Sequence, residues 1–393
     1  MRKTALAAAL AVLATLAVAA TAAAQAPLTV YASMPLQGAA RPQATAVLAG
    51  ARLALQQAGG QAAGRPVRLV ELDSSTAVAG TWTPERVYAN ARRASRDASA
   101  VAYLGEFNSG GSAVTVPVTN EAGLLVVSPS NTAVGLTTAG VGADPGEPEK
   151  YYPSGVRTFG RVIPSDHVHG RAAAAALQAA GAKRVLLIHD GTVYGKGLAW
   201  DAAVSARARG MRPTIRRLAR RARNRASLAR AARSADGVFY GGLVASGVAR
   251  LWNTLHRAKP SLPLLGAEGV ALEDFTRDIS RGARARTRLV VSTPEPAALG
   301  PAAAPVIAQL GGSPDPYALH GYEAMAVILD AITRGGGTRE GTRAAFFATR
   351  DRASVLGTYS IDAHGDTSLT QVALYGVTAS GALRFDRVID AGA

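Results

Sequence analysis

Short runs of β-branched and aliphatic residues alternate along this chain with longer segments whose apolar residues return at helical spacing. The first cycle is LTVYAS, then ATAVLAGARLALQQA with apolar positions at Val47, Ala51, Ala54, Leu55 and Ala58, then VRLVELD. A strand, an amphipathic helix and a second strand in that order make a βαβ unit. The cycle continues through PERVYANARRASRD, AVAYLG, GSAVTVPVTNEAG and LLVVS, which predicts a parallel sheet with helices on both faces. A polar stretch rich in Pro and Gly, residues 138–154, interrupts it. Alternation resumes with KRVLLIHD, a helix after Tyr194, an Arg-rich αβ unit, DGVFYGG, a helix through SGVARLWNTLHRA, LPLLGAEG and TRLVVSTP. The predicted fold class is α/β, with two doubly wound α/β lobes.

In open sheets of this kind, ligands bind outside the C-terminal ends of the strands. Here those ends carry an unusual load of polar residues. The strand LLVVS runs straight into Ser128, Ser130, Asn131 and Thr132. Ser, Thr and Asn are favoured helix caps, and capping alone would explain one such cluster. Three other strand ends carry the same kind of residue: Asn108 and Ser109 in GEFNSGG, Tyr194 in HDGTVYG, and Glu268 in AEG. Hydroxyls, amides, an aromatic ring and one carboxylate are thus expected to converge on a single cleft, where free backbone N–H groups at a helix N-terminus can receive a carboxylate.

The N-terminus, MRKTALAAALAVLATLAVAATAAAQA, has two cations, an apolar run and small residues of the A-x-A kind, the pattern of a secretory signal peptide. Cleavage is expected after Ala24, because a cut after Ala26 would leave Pro27 first, without an ordinary backbone N–H. The mature chain then starts at Gln25. No later segment has ~18 uninterrupted apolar residues, so export followed by release, to the periplasm or the extracellular space, is the expected fate. The chain has no cysteine, which excludes disulfides and an acylated N-terminal cysteine.

The formal charge of +16 falls by two with the signal segment and is unevenly spread. Residues 207–233 hold eleven arginines and no acid. The run has no interleaved aromatics and no nucleic-acid-binding motif, so it is expected to be a solvated face, with docking to an acidic partner as the alternative and no role for nucleic acid.

Enzyme motifs are missing. After the first strand stands MPLQGAARPQA, not G-x-G-x-x-G, so Asp73 at the second strand's end is expected to serve a turn and not a ribose. No Walker lysine follows a Gly-rich loop, no G-x-S-x-G surrounds Ser109, and no H-E-x-x-H occurs. His167 and His169 are expected in a solvent-exposed turn entering a helix, without metal. His189 and Asp190 have no serine placed with them for a triad. Neither catalysis, a cofactor nor a metal is expected.

The segments YLGEFNSGGSAVTVPVTNEAGLLVVSPSNTAVGLT, VLLIHDGTVYGKGLAWD, VFYGG and LLGAEGV resemble, in that order, the Leu/Ile/Val-type amino-acid binding proteins that feed ABC importers. The resemblance runs from residue 28 to about residue 376. It implies a type I periplasmic binding protein in which Ser109, with Ser130 and Thr132, receives the ligand's α-carboxylate. It likewise implies that Glu268 pairs with the ammonium and that Tyr194 closes over the ligand, with Asn108, Asn131 and Leu243 as neighbours. Two positions depart from the family: its aromatic after the Gly-Gly pair is Leu243 here, and the tyrosine of its first loop falls near Gln43. YALHGYEAMAVILDAI resembles the long helix that returns to the first lobe, and LGTYSIDAHGDT resembles the terminal strand and turn.

The lobes are then discontinuous and joined by a multi-strand hinge. The expected division is a signal peptide at 1–24, lobe 1 from 25–160 with 294–356, and lobe 2 from 161–293 with 357–393. The expected function is capture of an amino acid or related small zwitterion by a monomer, for an ABC transporter permease. The alternative is a sensor of the same fold coupled to a membrane receptor.

Overall fold

The protein was analysed as a computed structural model, which describes residues 26–219 and 222–392. Residues 1–25, where the expected signal peptide falls, and Arg220, Arg221 and Ala393 lie outside the described residues. The first half forms β1 (Leu28–Met34), β2 (Gln61–Ala62), β3 (Arg65–Asp73), β4 (Ser75–Thr76), β5 (Thr81–Trp82), β6 (Ala100–Leu104), β7 (Leu125–Ser128) and β8 (Phe159–Arg161). Six of these make one sheet in the order β2-β3-β1-β6-β7-β8, while β4 and β5 pair separately as a small hairpin. Pairing from β3 to β8 is parallel, with Leu28 opposite Val67 and Met34 opposite Asp73.

The second sheet uses β9 (Arg184–His189), β10 (Arg212–Arg217), β11 (Gly237–Gly241), β12 (Leu264–Ala267) and β13 (Thr287–Val291). After a hairpin of β14 (Arg352–Ser354) and β15 (Gly357–Tyr359), β16 (Gln371–Val377) and β17 (Leu383–Asp390) complete it. Its order is β10-β9-β11-β12-β13-β16-β17. The last two strands run antiparallel, so this sheet is mixed where the sequence pattern predicts a second parallel one.

Each sheet buries its own core. Val30, Ala32 and Met34 of β1 pack with Val47, Leu48 and Ala51 of the helix Arg41–Gln57 and with Leu319 and Val327 of the helix Tyr317–Arg334. Those two helices cross at paired glycines: a β-carbon at Gly321 would lie 2.1 Å from the Val47 carbonyl oxygen, and one at Gly50 would lie 1.8 Å from that of Ala318. No other residue permits so close a backbone approach, and the crossing fixes the late helix onto the first sheet. Val355, Tyr359 and Ile361 also join the first core, whereas Val372 and Leu374 join the second. The chain therefore passes between the lobes three times, after β8, after β13 and between β15 and β16, leaving a cleft at the strand ends.

Candidate ligand-binding site

The first wall of the cleft grows out of β6. Gly105 has φ 145°, open to glycine, and a β-carbon there would meet the Ser33 carbonyl oxygen at 2.9 Å. The chain then turns Glu106 inward, where its carboxylate accepts hydrogen bonds from Tyr103 Oη (2.7 Å), Thr115 Oγ1 (2.9 Å) and Ser33 Oγ (3.0 Å). Burial outweighs these donors and pushes the Glu106 carboxyl up to about 7. Asn108 occupies the N-cap position of the helix Ser109–Glu121 without a side-chain capping bond, and the first amides of that helix have no partner within it.

The polar residues after β7 build the neighbouring loop. Ser128 Oγ donates to the Glu106 carbonyl (3.0 Å) and accepts from the amides of Ser130 (3.3 Å) and Asn131 (3.0 Å). Ser130 Oγ donates to the Phe107 carbonyl (2.8 Å). Asn131 Nδ2 donates to the carbonyls of Glu106 (2.8 Å) and Phe107 (2.9 Å). Ser109 Oγ accepts from the Ala133 amide at 3.4 Å. Thr132 Oγ1 is buried and makes no hydrogen bond of ordinary geometry. Beyond it lies Asp166, fully buried, whose carboxyl is pushed well above its ordinary pKa by burial and then by the nearby Asp201.

The second wall comes from the other sheet. Thr192 caps the helix Val193–Ala208 by accepting from the Gly195 amide at 3.0 Å, which places Tyr194 in the first turn. Its hydroxyl accepts from the Gly269 amide at 3.4 Å. Asp190 fastens the loops on either side: Oδ1 accepts from Thr192 Oγ1 (2.6 Å), and Oδ2 accepts from the Leu243 amide (2.8 Å) and Ser246 Oγ (3.0 Å). Glu268, at the end of β12, is 7% exposed. Its Oε2 accepts from the Ser292 amide at 2.9 Å, and burial pushes its carboxyl up to about 7, with no cation among the groups acting on it.

Between these walls lies a cavity of about 100 Å³ lined by Asn108, Ser109, Ser130, Thr132, Tyr194, Leu243 and Glu268. Seven of the eight sequence-predicted site residues are thus brought together. Asn131 is not in the lining: both its amide hydrogens are spent on backbone carbonyls, so it holds the two loops in register behind the cavity wall.

The profile of the periplasmic binding protein family matches residues 27–382. The chain belongs to that family. Its fold is that of a leucine-binding protein from Thermotoga maritima, at 22% identity, covering 92% of this chain and 99% of the other with a TM-score of 0.76. It is also that of an ABC transporter substrate-binding protein from Desulfitobacterium hafniense in complex with Leu, at 22% identity, 92% and 100% coverage and a TM-score of 0.71. A solute-binding protein of an ABC transporter from Rhodopseudomonas palustris HaA2, in complex with p-hydroxybenzoic acid, matches at 16% identity, 93% and 98% coverage and a TM-score of 0.73. No curated protein matches the sequence. The family and these neighbours are substrate-binding proteins, not enzymes. Among the described residues no helix is long and apolar enough to cross a membrane.

The cavity of this periplasmic binding protein has apolar walls that the strand-end pattern did not name. Trp82 lies across the head of the helix Ser109–Glu121, where a β-carbon on Gly110 would come within 2.7 Å of its ring. Phe107 and Tyr317 stack at a tilt, ring centroids 5.1 Å apart, and Leu272 and Val244 complete the lining with Gln43. Tyr317 opens YALHGYEAMAVILDAI, so the family resemblance carried a signal for it. Trp82 had only its place just before the Thr83-Pro84 helix start.

The remaining expectations resolve locally. Asp73 serves a turn, accepting from the amides of Leu36 (3.0 Å) and Ser75 (2.8 Å) and from Gln37 Nε2 (2.7 Å). His189 Nδ1 accepts from the Gly191 amide at 3.1 Å. His167 is partly exposed and bonds Asp201 at 2.7 Å. His169, expected in an exposed turn, is instead fully buried, because the helix Asp166–Ala179 turns that face onto β13; its Nδ1 lies 3.2 Å from Ser292 Oγ, and burial lowers its pKa to about 4. No group of metal-ligating side chains occurs among the described residues. Arg212, Arg216 and Arg217 are exposed on β10, at the edge of the second sheet, and none lines the cavity.

Proposed function

We propose that this periplasmic binding protein captures an amino acid or a closely related zwitterion in the interlobe cavity and delivers it to the permease of an ABC importer. One observation carries the reading: Glu268 is a nearly buried carboxylate with no cationic partner, facing a wall of hydroxyls and helix-terminal amides. A ligand ammonium beside Glu268 supplies the missing charge. Its α-carboxylate then falls to Ser109, Thr132 and the first amides of the helix Ser109–Glu121, with Ser130 and Asn108 alongside. Tyr194 and Leu243 close over it from the second lobe.

The leucine bound to the Desulfitobacterium relative supports this choice. The p-hydroxybenzoic acid bound to the Rhodopseudomonas relative supplies the competing one, since Trp82, Phe107 and Tyr317 could face an aromatic ring. Glu268 weighs against it, because a carboxylate ligand without an ammonium leaves that acid buried and unpaired.

The same reading has residues 1–24 removed on export, and a monomer from Gln25 with no lipid anchor on cysteine. It has the lobes close about their three crossings, which fall later than the expected residues 160 and 356, because Val162, Ile163, Tyr359 and Ile361 all pack in the first core. A thermal-shift screen of amino acids against benzoates tests it, because ligand at ~100 times its dissociation constant adds about 2.7 kcal/mol to stability. Stabilisation by amino acids is the expected result; stabilisation by benzoates alone would overturn it.

A further inference from the structure

The ligand cavity has a neighbour behind its apolar wall. A second cavity, of about 210 Å³, is lined by Thr293, Glu295, Asp315, Tyr375 and Phe385, and it shares two side chains, Gln43 and Tyr317, with the first. Only these two side chains belong to both cavities. Gln43 stands in the first turn of the helix Arg41–Gln57 and is half-buried. Tyr317 lines both cavities, and its hydroxyl is raised in pKa first by burial and then by Glu268 and Asp315 together.

The chemistry of the far cavity is distinct. Asp315 Oδ1 accepts from the Tyr317 amide at 2.9 Å, so one oxygen is fixed at the helix start. The side chain is half-buried, and the groups acting on it are burial and that amide, with no cation among them. Glu295 and Asp315 line this cavity together with Tyr375, whose hydroxyl is raised in pKa by burial and then by both carboxylates. A half-buried carboxylate with no cation beside it is stabilised by one that reaches it.

We propose that the bound amino acid extends past Gln43 and Tyr317 into the second cavity and ends there in a cationic group facing Asp315, so that the site takes a basic amino acid with a lysine-like side chain. This rests on the reading of Glu268 and the helix-terminal wall as the amino-acid site. The flexible four-carbon stem of such a side chain lies along the Tyr317 ring, an apolar surface that also favours a nearby cation. The Gln43 amide borders the passage where a larger residue would close it.

Calorimetric titration with lysine and with norleucine, its near-isostere lacking the terminal ammonium, tests the proposal. Lysine is expected to bind at least tenfold more tightly than norleucine. Asp315→Asn, which keeps an acceptor for the Tyr317 amide, brings that ratio to about one. Gln43→Phe, which narrows the passage without altering charge, lowers the ratio as well; a through-space effect of Asp315 on a ligand confined to the first cavity would not respond to it. Norleucine or leucine binding as tightly as lysine overturns the proposal while leaving the amino-acid site intact. An unchanged ratio in Asp315→Asn overturns it too, and so does the absence of binding by any amino acid, which removes the reading beneath it.

Discussion

Arg161 and Asp366 lie 205 residues apart and are joined by a hydrogen-bonded ion pair of 2.7 Å from Nε to Oδ1. Arg161 is fully buried at the end of β8, and its remaining donors reach the carbonyls of Asn131 (3.1 Å) and Ala133 (2.9 Å) and the hydroxyl of Thr137 (2.7 Å). The two carbonyls flank Thr132, so a residue at one lobe crossing, clamped by a residue from another, sets the loop that lines the cavity.

Asp366→Ala leaves that guanidinium buried without its counter-charge. We expect a loss of about 3 to 5 kcal/mol in unfolding free energy, measured by urea denaturation. A loss under about 1 kcal/mol would show that the pair behaves as a surface pair.

Glu106 makes stability depend on pH. Its carboxyl is held at about 7 against an ordinary 4.5, so the folded state favours the protonated form. The stability it contributes is present below pH 4.5 and is lost as pH rises through 7. At roughly 1.4 kcal/mol per pH unit, that loss is on the order of 3 kcal/mol for Glu106. Denaturation of the ligand-free protein at pH 5.5 and pH 8 should show lower stability at pH 8, with the difference reduced in Glu106→Gln. Equal pH dependence in the variant would assign the effect to other groups.

Glu268 couples binding to protons in the opposite sense. Its carboxyl, at about 7 in the empty cavity, must ionise to face an ammonium, so binding at pH 6 releases a proton and affinity rises with pH until it levels above 7. Calorimetry at pH 6 in buffers of different ionisation enthalpy reads this directly. Buffer-independent heats would mean that no such ionisation accompanies binding.

The sequence made the alternation of strands and helices legible because each buried strand here is a continuous apolar run. β17 escaped, since it is mostly half-exposed or exposed and lacks such a run; β16 carries a buried apolar run, but its antiparallel place in the sheet follows from tertiary pairing. At the site, the strand-end rule found the residues that a parallel sheet delivers to the cleft by topology alone. It could not separate Asn131 from Ser130, because a polar side chain after a strand can line a cavity or stand behind its wall, and only the fold shows which. Trp82 comes from a two-residue hairpin and Tyr317 from a helix far along the chain, positions set by tertiary packing and not by any local period.

The central claim is that Glu268 and the head of the helix Ser109–Glu121 divide a zwitterion between them. Titration calorimetry of an amino-acid ligand against the parent, Glu268→Gln and Ser109→Ala tests it most directly. Glu268→Gln should weaken binding by about 2 to 5 kcal/mol, and Ser109→Ala by a smaller amount, about 1 to 3 kcal/mol, because the helix amides still hold the carboxylate. Binding of the amino acid by Glu268→Gln as tightly as by the parent would contradict the account.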